Sequence, residues 1–151
     1  MRSSARVCRP GASSAGKVSI RPAREKDLKV CAKILHTREL AGASGWYPTP
    51  AVLKRCMGKY FLVAEEDGRI LGCSVVEPLK HGVIGWWFAV IKAARGRGVG
   101  SALLAELERT AKRNGKHFFL VYSRAGSRAV EFYRKRGYEP GQNFTELIKG
   151  L

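Results

Sequence analysis

Apolar positions recur along this chain with two periods, and the switches between them mark its elements. Residues 18–23 alternate, with Val18 and Ile20 on one side and Pro22 closing the run, which predicts a first strand. Residues 25–40 follow a helical period: Leu28, Cys31, Ile34 and Leu35 share a face, and Glu25 and Asp27 suit the N-terminal end. Thr49-Pro50 pairs an N-cap residue with proline at the first helical position, Val52, Leu53, Cys56 and Met57 form the apolar side, and Gly58 stops the helix. Residues 59–65 and 69–77 are apolar runs around Asp67-Gly68, a two-residue hairpin signal, and residues 83–91 make a third strand of the same meander. A helix opens near Ser101 and runs to Asn114, with an inward stripe of Val99, Leu103, Leu104, Leu107 and Ala111 and an outward Glu108–Lys112 pair. Residues 117–123 read as a strand, 128–136 as a short helix and 144–148 as a last strand. The order βααβββαβαβ predicts an α/β fold with a mixed sheet.

A chain of 151 residues is one domain by the length prior. The first 17 residues differ from the rest: they are rich in Ser, Ala, Gly and Arg and hold no acid. That composition fits a disordered extension or an over-long start, and it is also that of a transit peptide. The expected organisation is therefore an extension over 1–17 and a single domain over 18–151. No apolar run is long enough to span a bilayer, so a soluble, cytoplasmic protein with no membrane partner is expected. Cys8, Cys31, Cys56 and Cys73 form no C-x-x-C pair and no cluster with histidine, which argues against a metal site.

The net charge of +16 changes the picture. It suits an anionic ligand, an acidic substrate or nucleic acid; no nucleic-acid motif accompanies it, so generic basicity ranks above nucleic acid. The chemistry concentrates in Arg95-Gly96-Arg97-Gly98-Val99-Gly100-Ser101, between a strand and a helix. Glycines bring backbone close to an anion, the first N–H groups of a helix are unpaired, and the helix dipole favours negative charge there. A dinucleotide fingerprint fails on the third glycine, and no Gly-Lys pair is followed by Ser or Thr as a Walker loop requires.

The remaining pattern, Arg-x-x-Gly-x-Gly, resembles the coenzyme A pyrophosphate loop of the GCN5-related N-acetyltransferases, the GNAT superfamily. Two further segments resemble that family: the hairpin at Val63-Ala64-Glu65-Glu66-Asp67-Gly68 with Leu71-Gly72, and Ala129-x-x-Phe132-Tyr133 followed by Gly137-Tyr138. The resemblance covers residues 18–151. It implies a mostly antiparallel central sheet with helices on both faces, acetyl-CoA as cosubstrate with no metal, and transfer of the acetyl group directly to an amine of a small molecule, peptide or protein. It also implies a bulged strand through Phe88, Ala89 and Val90, where the pantetheine arm pairs with Phe88 and Val90, while residues 95–101 hold the pyrophosphate. The alternative within the same fold is a module that senses acyl-CoA, or associates with tRNA, without turnover. The expected state is a monomer or homodimer.

Tyr133 is the candidate proton donor to the departing thiolate. On reference values the transfer is uphill by about 2 kcal/mol. The family's usual strand acid is absent, since no Asp or Glu occurs between Lys80 and Ala105. Glu77 is the nearest carboxylate and the candidate base; His81 is the other titratable neighbour. Gly126 stands where relatives often place Asn, leaving Ser123 or Ser127 as substitutes. Trp46 and Tyr47, and one of Trp86 and Trp87, are candidates to line the acceptor side, since strand alternation sends Trp86 and Trp87 to opposite faces.

Overall fold

A computed structural model describes residues 16–38, 40, 46–141, 147 and 149. The expected strand over 144–148 lies outside the described residues, as does most of 1–17. Within them the element order is β1 (Ser19–Pro22), a 3-10 turn (Glu25–Asp27), α1 (Leu28–Leu35), α2 (Pro50–Arg55), β2 (Phe61–Glu66), β3 (Arg69–Pro78), β4 (Gly82–Val90), a second 3-10 turn (Lys92–Ala94), α3 (Val99–Arg113), β5 (Phe118–Val121) and α4 (Arg128–Arg134). The five strands form one sheet in sequence order. β1 to β4 pair antiparallel, and β5 joins β4 in parallel through the α3 crossover. The α/β class and the mostly antiparallel sheet are as expected.

Alternation along the strands divides the core. Phe61, Val63, Cys73 and Val75 face α1 and α2, joining Leu28, Cys31, Leu35 and Leu53. Leu62, Val76 and Val83 point the other way and meet Leu103, Leu107 and Ala111 of α3. Each buried leucine in these layers contributes about 2 kcal/mol. The β2–β3 turn has the expected form: Asp67 and Gly68 both have positive φ, 48° and 76°, as the hairpin turn that matches strand twist requires.

Three boundaries differ from expectation. The first helix ends at Leu35 rather than Leu40. Beyond it the apolar stripe lapses, and the His36 ring stacks on Tyr47 at 3.9 Å, which draws the chain out of the helix. α3 starts at Val99, two residues before Ser101, because Gly98 adopts φ 80° and serves as its N-cap. The last three glycine-loop positions therefore form the first helical turn. Glu108 does not pair with Lys112; it accepts a hydrogen bond from the Tyr138 hydroxyl at 2.9 Å, which fastens the chain after α4 to α3.

One buried ionic cluster fixes the edge of the sheet. Arg21 on β1 donates to both oxygens of Asp27, at 2.7 and 3.2 Å, and to Glu65 on β2. Burial alone would raise the Asp27 carboxyl, but the Arg21 hydrogen bonds, the Arg24 backbone N–H and the Arg21 charge outweigh it and hold the pKa below the usual carboxylate range. We expect Arg21→Met to cost about 3 kcal/mol in urea denaturation at neutral pH, because Asp27 is left buried without its partner. The Asp27 contribution is fully present above the ordinary carboxylate pKa and is lost as pH falls through the lower folded value. The wild-type and Arg21→Met curves should therefore converge in acid.

Candidate functional site

The site begins where β4 and β5 part. Their parallel pairing covers Gly82–Gly85 against Phe118–Val121 and stops at the Gly85–Val121 pair. On the other side of β4, Val75 pairs with Trp87 but Val76 pairs with Gly85, so Trp86 is an extra residue on β4. Such a bulge bends and twists its strand. The strand through Phe88, Ala89 and Val90 is thus bulged, as the resemblance implied, with the extra residue at Trp86, and those three continue in regular register with Ser74, Cys73 and Gly72. Trp86 and Trp87 flank this bulge and both line one cavity; Trp87 also packs against the α1/α2 side of the core and Trp86 lies against the Tyr122 ring.

Beyond the bulge, one edge of β4 has no strand beside it. Backbone groups of an antiparallel strand alternate between its two edges. The Ile91 N–H donates to Leu71 O of β3 at 2.8 Å, so the groups of Val90 and Phe88 face the opposite edge, toward the gap. The Val90 carbonyl confirms the direction, since it accepts from Arg95 Nε at 3.1 Å across the turn. This leaves the Val90 and Phe88 N–H groups as donors along the open edge.

A cavity of about 640 Å³ occupies the gap. It brings together Phe88, Ala89, Val90, Arg95, Gly96, Gly98, Val99, Gly100 and Ser101, as the sequence suggested, and adds Tyr133 from α4. Gly96 and Gly98 have φ of 76° and 80°, a conformation other L-residues adopt only at a cost. No protein atom lies within 4 Å of where a Cβ would sit on either glycine; the space over the turn is open. Gly100 is different: a Cβ there would sit 3.4 Å from the Phe132 ring. Arg97 departs from expectation. Its guanidinium turns away from the cavity and pairs with Glu66 at 2.6 Å, anchoring the turn to β2.

Arg128, Arg136, Tyr122 and Ser123 were not singled out for this cavity by the motif, except Ser123 as a substitute for Asn, yet all four line it. The Arg136 guanidinium stacks 3.7 Å from the Phe132 ring and donates to Phe132 O and to Ser101 Oγ. The basic run Arg134-Lys135-Arg136 was the available signal. Arg95, Arg128 and Arg136 thus border a cavity whose described lining residues include no carboxylate, and Arg128 and Arg136 add positive potential that favours an anion. Ser127 is the residue before α4, and Gly126 has φ 72°.

Tyr133 is nearly buried, within ring-contact distance of Phe88 (6.3 Å), Phe132 (5.2 Å) and Tyr138 (5.2 Å). Burial pushes its pKa up to about 12. The Tyr133 hydroxyl therefore stays protonated at neutral pH, and full transfer of its proton to a thiolate whose thiol has a pKa near 8.5 would be uphill by about 5 kcal/mol.

A second cavity, of about 920 Å³, adjoins the first and shares Trp86 with it. Glu77 lines it and accepts a hydrogen bond from Trp86 Nε1 at 2.6 Å. Trp46 is in it too, 5.7 Å from Trp87. Tyr47 instead stacks on His36, and His81 lines neither cavity. Among the described residues no group of three or more His, Cys, Asp or Glu is placed to hold a metal, and no helix is long and apolar enough to cross a membrane.

Comparison with known proteins agrees with this geometry. The family model for the GNAT acetyltransferase domain matches residues 57–140, more than half of the chain. The chain belongs to the GNAT acetyltransferase family. Acyl-CoA-dependent acetyl transfer is thereby its general chemistry. Among solved structures, it resembles Ard1 from Thermoplasma volcanium with a TM-score of 0.73 at 24% identity, over 83% of this chain and 84% of that one. A ribosomal-protein-alanine N-acetyltransferase from Brucella melitensis superposes with a TM-score of 0.65 at 28% identity, over 80% and 84%. A Mycobacterium tuberculosis protein solved in complex with coenzyme A gives 0.69 at 20% identity, over 84% and 76%. Comparison with curated proteins returns no significant sequence match.

Two outcomes follow from this geometry. Gly98→Ala should remain folded, with a loss of about 1 kcal/mol from its left-handed φ, yet lose most of the rise in Tm that coenzyme A gives the wild type. Thermal melts with and without coenzyme A measure both. Between pH 10 and 12 the unfolded Tyr133 ionises while the folded one does not, so stability falls as pH rises, by about 3 kcal/mol over the interval. Tyr133→Phe should lose less stability over that interval in alkaline denaturation.

Proposed function

We propose that the protein is an N-acetyltransferase that moves the acetyl group of acetyl-CoA directly to an amine, with the donor in the cavity between β4 and β5 and the acceptor in the cavity beside it. The observation that carries this is the open edge of β4, with Val90 and Phe88 N–H groups facing a cavity that ends on the glycine turn. Acetyl-CoA supplies a thioester activated toward amines. The N–H groups at the start of α3, with Arg95, Arg128 and Arg136, hold its phosphates. The Val90 N–H faces the thioester carbonyl and stabilises the negative charge that develops on its oxygen, a term that in other acyl-transfer enzymes is worth about 3 kcal/mol.

The amine must lose its proton before attack. Glu77 takes that role, held in place by the Trp86 indole N–H on the wall between the two cavities. Tyr133, kept protonated by burial, donates a hydrogen bond to the sulfur as the C–S bond breaks. Both assignments rest on position.

Tyr133→Phe keeps the ring packing and removes the donor. It should lower kcat about 10²-fold with little change in the Kd of acetyl-CoA. Because the wild-type pKa is about 12, the variant should keep the wild-type pH profile below about pH 10, only lower in amplitude. Wild-type turnover by Tyr133→Phe would reduce the residue to packing. Glu77→Gln should lower kcat/KM for the amine with little change in the Kd of acetyl-CoA; an unchanged kcat/KM would move the base elsewhere.

A further inference from the structure

The cavity that adjoins the donor site has a composition that selects among amines. All three tryptophans of the chain, Trp46, Trp86 and Trp87, line it, together with Tyr60 and Met57. Val75 and Val76, both almost fully buried, form apolar wall from β3. An acceptor that fills about 920 Å³ of such a lining presents an apolar, ring-bearing body.

The charges are unequal. Among the described residues Glu77 is the one carboxylate of the lining, next to Trp86, which borders both cavities. Three cations line the same cavity: Arg55 at the end of α2, Lys59 on the turn that follows, and Lys116 beyond α3. The hydrogen bonds of the two lysines go to neutral oxygens. Lys59 Nζ donates to Asn114 Oδ1 and lies 5.5 Å from the Tyr60 ring centre. Lys116 Nζ donates to the carbonyls of Leu79 and Lys80. Among the described residues no carboxylate pairs with either lysine, and a second cation on the acceptor would meet their positive charges. A polyamine or an aminoglycoside is disfavoured for that reason.

We infer that the acceptor is an amine on an apolar, ring-bearing body that also carries a carboxylate: the amine directed to Glu77 and Trp86, the ring among the indoles, the carboxylate to Lys59, Lys116 and Arg55. This rests on the acetyl-transfer reading above and adds the substrate class to it. The selection is one of charge as well as shape. A decarboxylated analogue fills the same apolar space but leaves the cations without a partner.

The test compares matched amines with and without the carboxylate: tryptophan against tryptamine, phenylalanine against phenethylamine, and spermidine as the polycation. Thiol release from acetyl-CoA should give each amino acid a kcat/KM at least tenfold above its decarboxylated partner, with spermidine lowest. Binding is read independently of turnover. Phenylalanine should quench the tryptophan emission of the coenzyme A-loaded protein at a concentration at least tenfold below phenethylamine. Lys59→Gln/Lys116→Gln should abolish both preferences while its Tm still rises with coenzyme A. Tryptamine or spermidine matching tryptophan overturns the inference, and so does a coenzyme A-binding protein that neither binds nor acetylates the amino acids. A protein whose Tm does not respond to coenzyme A at all overturns the acetyl-transfer reading as well.

Discussion

One extra residue, Trp86, governs the architecture of both cavities. Without it β4 would stay in step with β3, and nothing would turn its second half away from β5. With it, parallel pairing ends at Gly85 and the backbone of Phe88 and Val90 is left facing space. An unpaired strand edge is ordinarily a liability, since it invites pairing with another chain. Here it is short, and Thr37 and Leu40 on one side and residues of α4 on the other border the space beside it. The same residue then serves as the partition: its indole borders the donor cavity, the neighbouring cavity and the Tyr122 ring at 6.4 Å, and its N–H fixes Glu77.

Charge placement complements this backbone geometry. The chain has 28 Lys and Arg against 12 Asp and Glu, so the scarce acids decide where positive potential is cancelled. Most of those with described contacts do structural work. Asp27 and Glu65 neutralise Arg21, Glu66 holds Arg97, Glu106 holds Arg109 and Arg113, and Glu108 receives Tyr138. Among the described residues Glu77 alone of the acids lines the second cavity, and none lines the cavity between β4 and β5. Acids are thus scarce around these two openings, and most of them are engaged in structural pairs elsewhere.

Periodicity made the fold legible because nearly every element has a one-sided environment. α3 is the clearest case: Val99, Leu103, Leu104, Leu107 and Ala111 were read as inward and are buried. The glycine turn was legible because positive φ and a helix start demand those residues in that order. The position of the bulge was not, since register is a relation between two strands and Trp86 looks like any other aromatic strand residue. The side-chain pairing of Arg97 was illegible for a similar reason: its partner Glu66 is 31 residues away. The end of α1 depended on a ring contact between His36 and Tyr47, which no local propensity encodes. The raised pKa of Tyr133 followed from burial among rings contributed by β4, α4 and the chain beyond it.

The short parallel pairing of β4 with β5 also has a temporal meaning. The strands from β1 to β4 meet through an antiparallel ladder, and β2 to β4 need only tight turns to do so; β5 reaches the sheet only after the whole of α3 has crossed over. Contacts of longer sequence separation close more slowly, so the meander assembles ahead of β5 and α4. The donor cavity has one wall from each group. Only four residue pairs join β5 to β4, few to resist local opening. Amide hydrogens of β5 and α4 are therefore expected to exchange faster than those of β2 and β3, and a ligand bridging the two walls is expected to slow that exchange by holding the late-forming part to the early one.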